Sequence, residues 1–85
     1  MNQASDPSAS QRPLSALSKG ARGQISRIEG TELEVALLKL GIAVGDQCKI
    51  ANIAPLGDPI AILVDRTQIS LRKQEAGQIW IQPSA

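Results

Sequence analysis

Five side chains in this sequence could bind a divalent transition metal, and all of them are carboxylates or a thiol. The candidates are Glu29, Asp46, Cys48, Asp58 and Asp65. His, the commonest general base and a preferred ligand of such metals, is absent from the chain. No two of the carboxylates share a regular helical spacing, and strand alternation is expected to point the thiol into the core. We therefore predict neither a tight metal site nor a bound cofactor.

Enzyme chemistry lacks its usual groups. The sequence has no Gly-x-x-x-x-Gly-Lys motif, which would hold a nucleotide phosphate. Five serines lie between Met1 and Ser18, but no His stands ready as a base for them. With one Cys, no internal disulfide can form. We predict that the chain is not an enzyme.

The size and composition favour one small aliphatic domain. The chain has 85 residues and a mass of 9.0 kDa, with ten Ile, nine Leu and three Val but one Trp and no Phe or Tyr. Nine Lys and Arg against eight Asp and Glu give a net charge of +1, which argues against a nucleic-acid partner. No apolar run reaches the roughly 18–20 residues of a membrane span. We predict no membrane insertion.

The first twelve residues differ from the rest. They are mostly Asn, Gln, Ser, Ala, Asp and Pro and contain no apolar stretch of the secretory type. Such a segment has little to bury against the entropy of ordering it. We predict a disordered tail over residues 1–12, a folded domain over residues 13–85 and a cytosolic location.

The clearest element is a helix between Gly30 and Gly45. Thr31 and Glu34 have the spacing of a capping box, in which each side chain satisfies a free amide at the helix start. Four residues at i, i+3, i+4 and i+7 form the predicted buried stripe: Leu33, Ala36, Leu37 and Leu40. Gly41 stands where a helix exit needs a positive φ, which allows Ile42 to fold back on Leu37.

The remainder indicates short strands. In a strand over residues 23–29, strict alternation puts Ile25 and Ile28 on opposite faces, which predicts either a bulge or a strand covered on both sides. A turn at Asp65 and Arg66 separates two later strands as a hairpin. The other predicted strands lie around Cys48 and Ile50, over residues 60–64, over residues 67–72 and over residues 78–82. About five strands and one capped helix predict a mainly β fold, a small antiparallel barrel.

Four sequence stretches together resemble the ferrous iron transport protein A family, the FeoA proteins. They are Leu-Ser-x-Leu-x-x-Gly-x-x-Gly from Leu14, Leu-Leu-x-Leu-Gly-Ile-x-x-Gly from Leu37, Ala-Pro-Leu-Gly-Asp-Pro-Ile from Ala54 and Ile-Ser-Leu-Arg-Lys-x-Glu-Ala from Ile69. The resemblance covers residues 14–81. The second and third stretches at this spacing are the most specific part, although family members usually carry a Gly where this chain has Asp65 and Arg66.

The resemblance implies an SH3-like barrel and a non-enzymatic accessory of the membrane ferrous iron transporter. Family members act in the cytosol and contact that transporter, whose cytoplasmic part carries a GTP-binding domain. A similar barrel forms the C-terminal domain of iron-dependent repressors. A partner surface is therefore expected on this chain.

Three places are candidates for that surface. On the helix and its exit, apolar side chains off the stripe either contact a partner or are covered by other parts of the domain. In the loop after residue 53, two prolines restrict the backbone, which suits either partner contact or a purely structural turn. Trp80 points away from its strand neighbours and either meets a partner or is covered by the helix or the tail. The candidate residues are Val35, Leu38, Leu40, Gly41, Ile42, Ala54, Pro55, Leu56, Gly57, Asp58, Pro59 and Trp80.

Other functions are weaker alternatives. Four cations could form a basic edge for nucleic acid, namely Lys19, Arg22, Arg72 and Lys73. Balanced charge and the absence of stacking aromatics weigh against that alternative. A weakly metal-binding iron chaperone is the other one. A homo-oligomer also remains open, since an exposed barrel edge can pair two copies.

Overall fold

A computed structural model describes residues 10–84 of the chain. Its elements, in chain order, are β1 (Arg12–Pro13), a 3-10 turn (Leu14–Ala16), β2 (Arg22–Ile28), α1 (Thr31–Lys39), β3 (Gln47–Ile53), β4 (Ile60–Val64), β5 (Thr67–Leu71), α2 (Lys73–Ala76) and β6 (Ile79–Pro83). The strands form one antiparallel sheet in the order β1-β6-β2-β3-β4-β5. The mainly β prediction with one main helix is confirmed. Most of the predicted tail lies outside the described residues. Arg12, which was predicted to belong to the tail, lies in β1 and pairs with Ile81 of β6.

The interior is aliphatic, as the composition predicts. Along β4, side chains alternate so that Ile60, Ile62 and Val64 are buried. The bulge in β2 is confirmed, because its register against β6 shifts between Ile25 and Arg27. That shift puts Ile25 and Ile28 on the same buried face. Within residues 10–84 no polar or charged residue is buried, so hydrophobic burial alone builds this core.

Helix α1 is shorter than predicted and buries less of itself. Leu33 and Leu37 enter the core, whereas Ala36 and Leu40, predicted to join them, are exposed. The reason is that the nine-residue helix contacts the barrel only along the row that contains Leu33 and Leu37. Side chains on either side of that row face solvent.

The prediction of a capping box at the start of α1 is also wrong. The N-cap is Gly30, with φ 92°, and no side chain caps this end. Glu34 N donates to Gly30 O at 3.1 Å, so the helix already includes Thr31 as its first residue. A residue inside the helix cannot place its hydroxyl as an N-cap does.

The exit of α1 follows the sequence prediction. Gly41 has φ 85°, and its amide donates to Leu38 O at 2.9 Å. Ile42 N donates to Leu37 O at 3.0 Å, which completes the paired hydrogen bonds of a Schellman motif. Both Leu37 and Ile42 are buried, so the predicted fold-back of Ile42 is confirmed.

Candidate partner-binding site

Among residues 10–84, five large aliphatic side chains are exposed. Their exposed fractions are 44% for Val35, 61% for Leu38, 53% for Leu40, 48% for Val44 and 94% for Leu56. Sequence reasoning missed Val44, which follows the helix and belongs to no periodic pattern. The two glycines that flank it, Gly41 and Gly45, could have indicated a turn with an exposed side chain, and both have positive φ in the structure.

One predicted surface residue must be corrected. Ile42 is 1% exposed, and the helix exit aims its side chain into the core beside Leu37. Because the Schellman motif needs an apolar contact at this position, the same geometry that exposes Leu40 buries Ile42. The side chain of Ile42 is therefore not available to a partner, whereas Val35, Leu38 and Leu40 are.

The C-terminal end of α1 meets the β4–β5 hairpin. Leu40 and Gly41 line one side of a shallow hollow, and Val64, Asp65 and Thr67 line the other. Asp65 adopts the left-handed conformation, with φ 58°, in the turn of this hairpin. This end of the domain therefore joins an exposed aliphatic helix terminus to an exposed hairpin.

The proline-containing loop lies at the opposite end of β3 and β4. Ala54 N donates to Pro59 O at 3.1 Å and Gly57 N donates to Ala54 O at 2.7 Å, which holds the loop in a tight form. Leu56 stands at its tip. Because β3 has seven residues, about 20 Å of strand separates this loop from the helix exit. The structure does not bring these two candidate surfaces together.

Asp58 has a structural contact within the domain. Its Oδ1 accepts a hydrogen bond from Lys73 N at 3.0 Å, at the first residue of α2. Arg72 N donates to Glu75 Oε1 at 2.9 Å in the same place. Backbone amides at a helix start have no partner within the helix, so both carboxylates stabilise this end of α2. The loop therefore combines a structural carboxylate with an exposed Leu56.

Trp80 is half-buried on the outer face of β6. The sheet register places Pro13 and Arg27 beside it. The Arg27 guanidinium carbon lies 4.9 Å from the ring centroid, a cation–π contact, and Arg27 also pairs with Glu29 at 3.2 Å. Arg27 therefore covers part of the Trp80 ring. In the sequence, this contact could have been predicted only from the pairing of β2 with β6.

The candidate metal ligands do not converge. Across residues 10–84 no three His, Cys, Asp or Glu side chains are grouped as a metal site. Asp46 Oδ2 accepts a hydrogen bond from Ala43 N at 2.9 Å. Asp58 accepts one from Lys73 N, and Glu29 forms an ion pair with Arg27. Cys48 faces the core as predicted, and its burial raises the pKa of the thiol to about 11. A thiolate ligand is disfavoured there.

The predicted basic edge is divided. Arg22 lies opposite Lys49 in the β2–β3 register, whereas Arg72 follows β5, two strands beyond β3. Lys73 begins α2 beside Arg72. Arg22 is therefore separated in the sheet order from Arg72 and Lys73, which weakens the alternative of a single basic strip along a nucleic-acid backbone.

The family is decided by the match of the FeoA domain model to residues 12–83. This chain belongs to the FeoA family. The FeoA protein from Chlorobium tepidum is 31% identical with a TM-score of 0.78, the alignment covering 86% of this chain and 70% of that one. Iron(II) transport protein A from Clostridium thermocellum is 38% identical with a TM-score of 0.76, over 84% of this chain and 44% of that one.

The same fold occurs in longer proteins. A manganese-dependent transcriptional repressor matches 87% of this FeoA chain with a TM-score of 0.78, but over 42% of its own length and at 20% identity, so the likeness shows the fold alone. These matches confirm the SH3-like barrel. No curated protein sequence matched significantly in a separate comparison. No helix of the described part of this FeoA protein is long and apolar enough to cross a bilayer.

Proposed function

We propose that this FeoA protein is a cytosolic, non-enzymatic accessory of ferrous iron uptake. In this proposal it docks on the cytoplasmic GTP-binding part of the membrane ferrous iron transporter. The family membership supports a role in ferrous iron transport. A structural relative with 23% identity over 87% of this chain, and a TM-score of 0.75, carries the name iron uptake regulatory protein.

The observation that carries the docking proposal is the exposed aliphatic end of α1. Val35 and Leu38 stand one turn apart on the helix, so their side chains are neighbours. Leu40 and Val44 are the other exposed aliphatic side chains at the helix exit. We call these four residues the helix-exit patch. A small domain gains nothing in stability from exposing such side chains, and a partner surface that covers them gains hydrophobic free energy.

Docking would act through rigidity. The helix-exit patch rests on a helix anchored by Leu33, Leu37 and Ile42 in the core. A rigid surface loses little conformational entropy on binding. If the module binds one conformation of the transporter more tightly than another, it shifts the population toward that conformation. Regulation of uptake then needs no chemistry on the module itself.

Binding of the purified cytoplasmic part of the transporter tests this proposal. Leu38→Asp puts a charge into the helix-exit patch, and Leu56→Asp puts one on the distant loop tip. Asn52→Asp, an exposed change on β3, is the matched control for added charge. We expect Leu38→Asp to weaken binding at least tenfold and Asn52→Asp to leave it unchanged. Full binding by both leucine variants, with folding intact, would contradict the proposal.

Ferrous iron uptake provides the cellular readout. Cells that lack the protein should take up less ferrous iron, and the wild-type chain should restore uptake. The Leu38→Asp variant should be present at normal abundance yet fail to restore it. Restoration by that variant would remove the helix-exit patch from the mechanism.

A further inference from the structure

We propose that the free edge of β5 binds an extended segment of a partner protein, one whose uncharged residues pair with the strand and whose ends carry carboxylates. The feature is independent of the transporter's identity and separate from the helix-exit patch, apart from Leu40. It rests on the hydrogen bonding, charge and surroundings of β5.

The outer edge of β5 has unpaired backbone groups. β5 is the last strand of the sheet and pairs only with β4. Since Val64 and Thr67 close the two-residue hairpin turn, Thr67, Ile69 and Leu71 direct their amides to β4. Gln68 and Ser70 therefore direct their N–H and C=O groups away from the sheet. Among residues 10–84, no backbone hydrogen bond outside the sheet pairing involves this strand.

The strand lacks the devices that usually block an edge. Thr67–Leu71 contains no charge and no proline, and its register against β4 is regular. Natural sheets commonly protect free edges with an inward charge, a bulge or a proline. The register shifts of this sheet involve β2 and β3, which are paired on both sides. The β5 edge is therefore a template for one more strand.

The end of helix α1 provides apolar surface near one end of the strand. Leu40 is 53% exposed and lines the hollow that includes Thr67, where β5 begins. Ala36, in the second half of the helix, lines a separate hollow with Glu75 and Gln78, which follow β5 in the sequence. An added strand would find both hydrogen-bonding groups and apolar surface.

Charge defines the occupant. Arg66 and Arg72 flank the strand, both exposed, and neither guanidinium takes part in an ion pair within residues 10–84. The nearby carboxylates of Asp58 and Glu75 already accept backbone amide hydrogen bonds. Acidic residues at both ends of an added segment would pair with the two arginines.

A second copy of this chain is the competing occupant. Two β5 edges that pair antiparallel over their full length are related by a two-fold axis at Ile69. That register sets Arg66 of one copy opposite Arg72 of the other, which is destabilising, although it also sets Asp65 opposite Lys73. An acidic-ended segment pairs with both arginines without that repulsion, so it is the favoured occupant.

Titration of the ¹⁵N-labelled protein with a synthetic peptide tests the proposal. The probe is acetyl-Glu-Thr-Val-Thr-Val-Thr-Glu-amide at up to millimolar concentration, and the comparison peptide replaces both Glu by Lys. We expect the Glu peptide to shift the amide signals of Gln68 and Ser70 and to slow their hydrogen exchange. Binding of the Lys peptide should be at least tenfold weaker. Absence of any shift at these two amides would overturn the proposal.

Two variants separate backbone pairing from simple charge attraction. Ser70→Pro removes an outward donor that no described residue uses, at an edge position where proline is tolerated, and Ser70→Ala is its matched control. The double variant Arg66→Glu/Arg72→Glu should reverse the preference to the Lys peptide, whereas Lys19→Glu should not. Equal binding by the Ser70→Pro and Ser70→Ala variants would refute strand addition. Concentration-dependent dimers that protect Gln68 would refute the choice of occupant.

Discussion

The carboxylate of Asp58 accepts a hydrogen bond from the backbone amide of Lys73, with Oδ1 and N 3.0 Å apart, across fifteen residues of sequence. The contact ties the loop between β3 and β4 to the first residue of α2. It also gives a structural reason for an acidic residue in the Ala-Pro-Leu-Gly-Asp-Pro stretch. Leu56, two residues earlier, is the large apolar side chain of that loop and is 94% exposed.

Removal of the Asp58 carboxylate should destabilise the domain. Asp58→Ala leaves the Lys73 amide without this acceptor, and the loss of a helix-terminal carboxylate typically costs about 1 kcal/mol. Asp58→Asn keeps an oxygen acceptor and should recover most of the loss. Urea unfolding followed by Trp80 fluorescence measures both. An Asp58→Ala protein as stable as the wild type would show that the contact contributes nothing.

Leu37 and Leu38 should respond in opposite ways to the same substitution, although they are adjacent in the sequence. Leu37 is 2% exposed in the core, so Leu37→Ala should cost about 2–5 kcal/mol of unfolding free energy. Leu38 is 61% exposed, so Leu38→Ala should change stability by less than about 0.5 kcal/mol. Denaturant unfolding of the two variants checks the difference. Similar losses for both would mean that α1 is rotated on the barrel.

Gly23 is predicted to tolerate no side chain. A Cβ at this position would overlap Ile81 Cγ2 and lie 2.7 Å from Gln82 O in the paired strand β6. Relief of this overlap requires movement of the backbone, so Gly23→Ala should cost about 1–3 kcal/mol. Gly77→Ala is the control, because the nearest atom to its Cβ is 3.4 Å away. We expect near-neutral stability for the control. A Gly23→Ala protein of wild-type stability would contradict the close pairing of β2 with β6.

Cys48 should make stability depend on pH in alkaline solution. Burial raises the thiol pKa from 9.0 to about 11, so an unfolded chain ionises at lower pH than the folded one. The thiol's contribution is complete below pH 9 and is lost as the pH rises toward 11. Wild type should therefore lose stability relative to Cys48→Ala over that interval. Parallel stability curves for the two proteins would show that the thiol is not desolvated.

Alkylation of Cys48 by iodoacetamide checks the same burial at neutral pH. The folded protein should react slowly, since the thiolate is the nucleophile and the site is both buried and poor in thiolate. Addition of urea should raise the rate to that of a free thiol. Rapid alkylation of the native protein would place the thiol at the surface.

Local physical rules made several elements predictable. The positive φ of Gly41 follows from its place after an apolar helix, because only a residue without Cβ enters that conformation freely. The three-residue spacing of Ile25 and Ile28 allowed either a bulge or a strand covered on both sides, and the register shift in β2 shows that the bulge is correct. Four sequence stretches were enough to indicate the family that the domain model matches over residues 12–83.

The start of α1 shows where local rules fail. Thr31 and Glu34 have the spacing of a capping box, but the chain enters the helix through Gly30 at φ 92°. The direction from which β2 delivers the chain decided which residue became the N-cap. A spacing pattern holds no information about that direction, since it depends on the β2–β6 pairing far along the sequence.

The sequence by itself determined the aliphatic core, the inward faces of β3, β5 and β6, the buried Cys48 and the helix exit, because these depend on side-chain period and on backbone sterics within a few residues. Only the tertiary structure decided that α1 buries Leu33 and Leu37 but exposes Leu40, and that Asp58 contacts Lys73. It also decided that β5 keeps a free edge between Arg66 and Arg72. Each of these depends on which elements become neighbours, and packing across long stretches of sequence sets that.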